Sequence, residues 1–189
     1  IPILTDEKGE SIRQLKPAAV IDGILAKRNL GTSRSMAPLT IALGPGFTAG
    51  EDVDYVVETM RGHDLGRIID EGEAAPNTGI PGIIAGVGKE RVIHAPESGR
   101  IQNKAKIADF VEKGQTIARI GKIPVQASLT GVLRGIIRDG YEVKKGMKIA
   151  DIDPRRDQKK NCSTISDKAR CIAGSVVEIL LAEGVLPYE

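Results

Sequence analysis

Ile93-His94-Ala95-Pro96-Glu97-Ser98-Gly99 is answered by Val125-Gln126-Ala127-Ser128-Leu129-Thr130-Gly131, and the register then holds without a gap. It pairs Ile101 with Leu133, Val111 with Val143, Gly114 with Gly146, Ile117 with Ile149, Ala118 with Ala150 and Ile120 with Ile152, always 32 residues apart. A fixed-period repeat of this kind is the mark of two copies of one supersecondary unit. Each copy ends in the same phrase, Val111-Glu112-Lys113-Gly114-Gln115-Thr116-Ile117-Ala118 and Val143-Lys144-Lys145-Gly146-Met147-Lys148-Ile149-Ala150. Short runs of period two punctuated by glycine turns predict short strands. One copy is too small to bury its own apolar face, so two copies are expected to pack into one β unit.

The paired pattern resembles the biotinyl/lipoyl-type barrel-sandwich hybrid, whose half-motifs read roughly Ala-Pro-x-x-Gly followed by Val-x-x-Gly-x-x-Ile. Carrier domains of that type hold an acceptor lysine in a Met-Lys-Met-like hairpin between the halves. The junction here is Ile120-Gly121-Lys122-Ile123-Pro124-Val125, without flanking methionines. Lys122 is therefore expected to be a solvated turn lysine, and no covalently attached cofactor is expected.

The chain has 189 residues, enough for a sizeable core in one or two domains. With 3% aromatic residues and no Trp, that core must rest on Ile, Val, Leu and Ala. The 22 glycines and 10 prolines favour turns and short strands over a helical bundle. The formal charge of +2 comes from interspersed acids and bases with no basic block and few stacking aromatics, which argues against nucleic acid. No apolar run approaches the roughly 20 residues needed to cross a bilayer. Two cysteines, Cys162 and Cys171, are too few for a disulfide framework and point to a reducing, cytoplasmic compartment. The opening Ile1-Pro2-Ile3-Leu4 suggests a piece of a longer gene product.

The expected fold class is α+β and β-rich, in three parts. Residues 1–87 form a mixed α/β part with a glycine-rich loop, 88–156 the duplicated β domain, and 157–189 a loop and carboxy-terminal helix packing back on 1–87. In the first part, strands are expected over Val20–Leu25, Leu39–Leu43 and Leu65–Ile69, and within 53–60, where Val53, Val56, Val57 and Met60 also fit a helical face but dense β-branched content favours strand. The Gly/Pro/Asn-rich stretch 72–88 reads as a long ordered loop or linker. The final helix is expected from about Ser166 to Glu183: Ala169, Ile172, Val176, Ile179, Leu180 and Glu183 trace one stripe, Thr164 or Ser166 can cap it, and Gly184 stops it.

Candidate chemistry is sparse. His63 and His94 are the only histidines, too few for common zinc sites, and no Gly-x-Ser-x-Gly elbow occurs. The segment Gly44-Pro45-Gly46-Phe47-Thr48-Ala49-Gly50 follows a buried strand, where converging backbone N–H groups can hold an anion. Glu58, Arg61, His63 and Asp64 lie close by in sequence and suit an anionic, ring-bearing ligand, or else form a solvated hairpin tip with ordinary charge pairs. Asp151, Asp153 and Arg155 can hold a cation or form a turn with a local ion pair, the preferred reading. Cys162 before the helix is read as an inert thiol and Cys171 as packed.

Six motifs in order resemble the YqeB family of selenium-dependent molybdenum hydroxylase system proteins: Ala26-Lys27-Arg28-Asn29, Gly44 to Gly50, Glu58-Thr59-Met60-Arg61-Gly62-His63, Pro76-Asn77-Thr78-Gly79-Ile80-Pro81-Gly82, Asp151 to Arg155, and Thr164 to Arg170. The resemblance implies an accessory role in maturing such a hydroxylase, with the apo-enzyme as partner. The binding residues placed on its motifs are Lys27, Arg28, Gly44, Gly46, Thr48, Gly50, Glu58, Arg61 and His63, around a phosphate-bearing small molecule such as a pterin cofactor or nucleotide. The alternatives are an enzyme acting on a phosphorylated metabolite, with His63 and Glu58 as acid/base pair, and a non-catalytic assembly scaffold. Ligand identity and oligomeric state are left open.

Overall fold

Leu39-Thr40-Ile41-Ala42-Leu43 stands between Pro38 and Gly44 as an unbroken run of apolar or β-branched side chains, and it forms the central strand of the first sheet. Such continuous runs belong to parallel strands buried on both faces. The computed structural model describes residues 1–79 and 82–186. It divides into two compact units, Ile1–Thr78 with Ser166–Glu189, and Gly79–Ile165.

The first unit contains α1 (Glu10–Leu15), β1 (Ala19–Asp22), β2 (Leu39–Leu43), β3 (Thr48–Ala49), β4 (Tyr55–Val57), β5 (Ile68–Ile69) and β6 (Gly72–Glu73), closed by α2 (Asp167–Ala182). Its main sheet has the order β1-β2-β4-β5, parallel except for β5. On one face Leu39, Ile41 and Val57 pack with Ile172 and Ile179 of α2. On the other, Ala42 and Val56 pack with Phe47, Ala49, Val53 and Ala74. Ile179 is 2% exposed, and burying such a side chain contributes roughly 1.5–3 kcal/mol.

Helix α2 begins where expected because the Ser166 hydroxyl accepts the Ala169 N–H at 3.1 Å, and it stops at Gly184, whose φ is +67°. Ala169 is exposed, and the buried stripe runs Ile172, Ser175 and Ile179. Strand β1 ends at Asp22, short of the expected Leu25, because the Asp22 carboxylate accepts the Ile24 N–H at 3.0 Å and turns the chain. Leu65–Arg67 is likewise a turn, not strand, its N–H groups donating to Gly62, Glu58 and Asp64 carbonyls. Helix α1 gave no apolar stripe to read, since none of its residues is buried; the Asp6 carboxylate accepts the Glu10 and Ser11 N–H groups at its start.

The second unit contains β7 (Val92–His94), β8 (Gly99–Asn103), β9 (Phe110–Val111), β10 (Thr116–Ile120), β11 (Ile123–Gln126), β12 (Gly131–Ile136), β13 (Glu142–Val143) and β14 (Lys148–Asp153). They form two antiparallel four-stranded sheets, β11-β10-β8-β13 and β7-β14-β12-β9. Ile101, Val111, Ile117, Leu133, Val143, Ile149 and Ile152 meet in one buried core. The whole chain is thus sheet-rich, α+β, with one long helix among the described residues.

The division between units falls at Gly79, upstream of Val87, because 82–91 is tied forward: Ile84 and Val87 exchange backbone hydrogen bonds and the Arg91 guanidinium donates to the Gly82 carbonyl at 3.1 Å. Residues 157–165 also stay with the second unit, as a 3₁₀ segment over Arg156–Cys162 lying against β12. Ile80 and Pro81, within the expected loop, lie outside the described residues. No helix among the described residues is long and apolar enough to cross a membrane. The charge is unevenly shared: the first unit carries −6 and the second +8, from seventeen Lys and Arg against nine Asp and Glu.

Candidate anion-binding site

Strands β1, β2 and β4 end side by side, with Asp22 opposite Ala42 and Leu43 opposite Val57. Beyond the carboxyl ends of parallel strands the connecting loops diverge, and ligands of open α/β sheets bind there. Three loops leave this edge, and each is held by a specific contact.

The first is anchored by Asp22, 6% exposed, which also accepts the Thr32 hydroxyl at 2.6 Å. Leu25 and Lys27 then take left-handed φ values of +59° and +65°, which cost an L-residue of order 1 kcal/mol each. In the second loop Gly46, φ +103°, lies directly on the Lys27–Arg28 backbone: a Cβ would come within 2.5 Å of Arg28 Cα. Gly44 donates to the Val57 carbonyl at 2.8 Å and leaves room for the Thr59 hydroxyl. The third loop turns on Glu58, 5% exposed, whose two carboxylate oxygens accept the Met60 and Ala75 N–H groups, each at 2.7 Å.

Arg61 reaches from this loop to the first turn of α2 and binds Asp167 through both guanidinium nitrogens. That hydrogen bonding holds the Asp167 carboxyl far below the ordinary carboxylate range. Lys168, next in the turn, is half-buried. Burial pushes its ammonium below the ordinary 10.5, and repulsion from Lys27 and then Arg61 pushes it further, with Glu58 acting the other way. Lys27 and Arg61 are thus both close enough to repel Lys168 at the start of a helix, where the dipole also disfavours cations. An anion among them would offset the repulsion and the unfavourable dipole.

Of the residues expected at the site, the structure brings together Lys27, Arg28, Gly44, Gly46, Glu58 and Arg61. Thr48 and Gly50 go elsewhere. Thr48 bonds Asp52 and Glu73, and Gly50 accepts from Arg34 beside Leu39 and Tyr55, at the amino ends of β2 and β4. A crossover between parallel strands must travel from the carboxyl edge to the amino edge, so one seven-residue loop cannot form one cradle. His63 sits exposed on the turn before β5 with no hydrogen bond or ion pair to another described side chain, and Asp64 pairs with Arg67 at 2.6 Å.

Lys168 and Asp22 were missed. The available signal for Lys168 was a lysine in the first turn of a capped helix, where an acid is preferred. In the second unit Asp153, 2% exposed, is gripped by Arg155 at 2.9 and 2.7 Å, and Asp151 accepts from Arg91 and Lys148. Among the described residues no group of three or more His, Cys, Asp or Glu is placed to hold a metal. Cys162 is half-buried in the 3₁₀ segment, whereas Cys171 is exposed, its Sγ 3.2 Å from the Leu65 carbonyl.

No family model matches the chain. It is 50% identical over 181 residues to a protein of Escherichia coli (strain K12) described as "Uncharacterized protein YqeB", a match covering 96% of this chain and 33% of that protein. The chain therefore spans a third of that relative's length. Among solved structures, a succinylglutamate desuccinylase/aspartoacylase from Rhodobacter sphaeroides aligns with 64% of this chain and 47% of its own at 14% identity and a TM-score of 0.34. An aspartoacylase family protein from Mesorhizobium loti aligns with 74% and 52% at 13% identity and 0.35. Likeness of this order carries no inference about fold or activity.

Proposed function

We propose that this chain, whose identity to YqeB supports that family, belongs to an accessory protein that matures a selenium-dependent molybdenum hydroxylase. In this reading the carboxyl edge of the parallel strands holds a phosphate-bearing cofactor and delivers it to the apo-enzyme. The observation that supports binding is the convergence of Lys27 and Arg61 on Lys168 at a helix start, close enough to repel it, over loops fixed by Asp22, Gly46 and Glu58. Like charges gathered at such cost suit a ligand of opposite sign. The hydroxylase partner rests on the six motifs and is part of the proposal.

The second unit is read as two copies of one β unit closed in the manner of a barrel-sandwich hybrid. A shift of 32 residues relates β7 to β11, β8 to β12, β9 to β13 and β10 to β14, and turns the order β11-β10-β8-β13 into β7-β14-β12-β9. Its net +8 suits docking to an acidic protein surface, the role expected of a delivery module. Acid/base chemistry by Glu58 and His63 is the weaker reading, since both Glu58 oxygens are taken by backbone N–H groups.

The test is calorimetric titration of the chain with inorganic phosphate, before and after Lys168→Ala, joined to the molybdenum and selenium content of the hydroxylase made with and without this gene. Saturable phosphate binding weakened at least tenfold by Lys168→Ala, with a hydroxylase lacking a component in the deletion strain, supports the proposal. Unchanged affinity removes the anion site; an indistinguishable hydroxylase removes the maturation role.

A further inference from the structure

A cavity of about 780 Å³ lies in the first unit between α1 and the segment leading into β2. Pro17 and Pro38, just before β1 and β2, line it, which puts it at the amino edge of the sheet, away from the Lys27 cluster. Lys8, Arg13 and Lys16 are among its lining residues, and no Asp or Glu is. None of the three cations is in an ion pair among the described residues. Ser33 and Ser35 also line it; their hydroxyls are 2.9 Å apart, so one donor of the pair is left for a ligand. Ile12 and Met36 supply apolar lining.

Lys16 adds an independent observation. It ends α1 with φ +46° and ψ +60°, the left-handed conformation normally filled by glycine or asparagine. A lysine there strains the backbone, and strain of this kind persists where the side chain serves a purpose.

We propose that this cavity binds a small organic diphosphate. Three cations without an ion-pair partner among the described residues match a ligand carrying two or three negative charges, and the planar guanidinium of Arg13 suits two-point contact with a phosphate. The volume falls within the roughly 300–1,000 Å³ of small-molecule sites and leaves room beside the phosphates for an organic body, for which Ile12 and Met36 supply apolar contact.

The experiment is titration calorimetry with ADP as probe, using the chain with Lys168→Ala so that the carboxyl-edge cluster is already weakened. ADP should bind with one-to-one stoichiometry, and adenosine should not. Arg13→Ala and Lys16→Gly should each weaken ADP at least tenfold, while Lys16→Gly raises the melting temperature by releasing the left-handed strain, so that lost binding is not lost folding. Absence of ADP binding, or an ADP affinity unmoved by both substitutions, overturns the proposal. Binding abolished by Lys168→Ala alone overturns it too, by assigning ADP to the other edge.

Discussion

Arg61 donates to both carboxylate oxygens of Asp167, at 2.8 and 2.9 Å, and so joins the turn after β4 to the first turn of α2. Both side chains are exposed, so the pair does more to position charge than to stabilise the fold. Asp167 titrates well below its ordinary 3.8, so whatever stability the pair contributes is present above that value and is lost only as pH falls beneath it. If Lys27, Arg61 and Lys168 form an anion site, Asp167 competes with the ligand for Arg61. Asp167→Asn should then strengthen phosphate binding severalfold, whereas Arg61→Ala should weaken it about tenfold, or about 1.4 kcal/mol. Calorimetry would show it; equal affinities in both variants would remove Arg61 from the site.

Lys168 sets an alkaline limit. Its ammonium titrates below 10.5, so the unfolded chain binds this proton more tightly, and the group's contribution to stability rises with pH through that range. Anion binding needs the charged form and pulls the other way. Phosphate affinity should fall as pH climbs towards 10.5, with proton uptake on binding in that range, and Lys168→Arg should remove the decline. A flat profile in the unsubstituted protein would show that Lys168 does not face the ligand.

Gly46 and Gly72 separate close packing from backbone conformation. Both have positive φ, +103° and +94°, but a Cβ on Gly46 would collide with Arg28 whereas nothing lies within 4 Å at Gly72. Gly46→Ala should destabilise by about 2–4 kcal/mol and Gly72→Ala by about 1 kcal/mol in denaturant unfolding. The first should also disturb phosphate binding by displacing Lys27.

Glu58 accepts two backbone N–H groups from inside the protein. Glu58→Gln offers one oxygen and turns an amide NH₂ towards the other N–H, so it should cost about 1–3 kcal/mol of stability. If the carboxylate only organises loops, phosphate affinity in the folded variant should change little. A large loss of affinity without loss of stability would assign Glu58 to the ligand itself.

Particular elements show why some of the structure was readable and some was not. Strand β2 matched its expected bounds because Pro38 and Gly44 frame an apolar run with no competing pattern. Helix α2 matched within a residue or so because a serine cap, a stripe of period near 3.6 and a glycine stop agreed. Strand β1 was overextended because Ile24 and Leu25 look like strand, while the Asp22 turn that ends it is a hydrogen-bonding choice. Helix α1 is too short and too exposed to leave a periodic signal.

Local sequence, then, determined what depends on neighbours along the chain: the strand-rich composition, the repeated strand phrases of residues 93–152, the central strand and the long helix. Their periodicities are properties of the backbone itself. Tertiary structure alone decided which distant charges meet. It set Gly44 and Gly46 at the carboxyl edge of the main sheet and Gly50 at its amino edge, drew Thr48 into a separate two-stranded pair, carried Lys168 to Lys27 and Arg61, and left His63 on an exposed turn. Electrostatic and steric terms act through space, so residues more than a hundred positions apart can hold one site while neighbours in a single loop serve different ones.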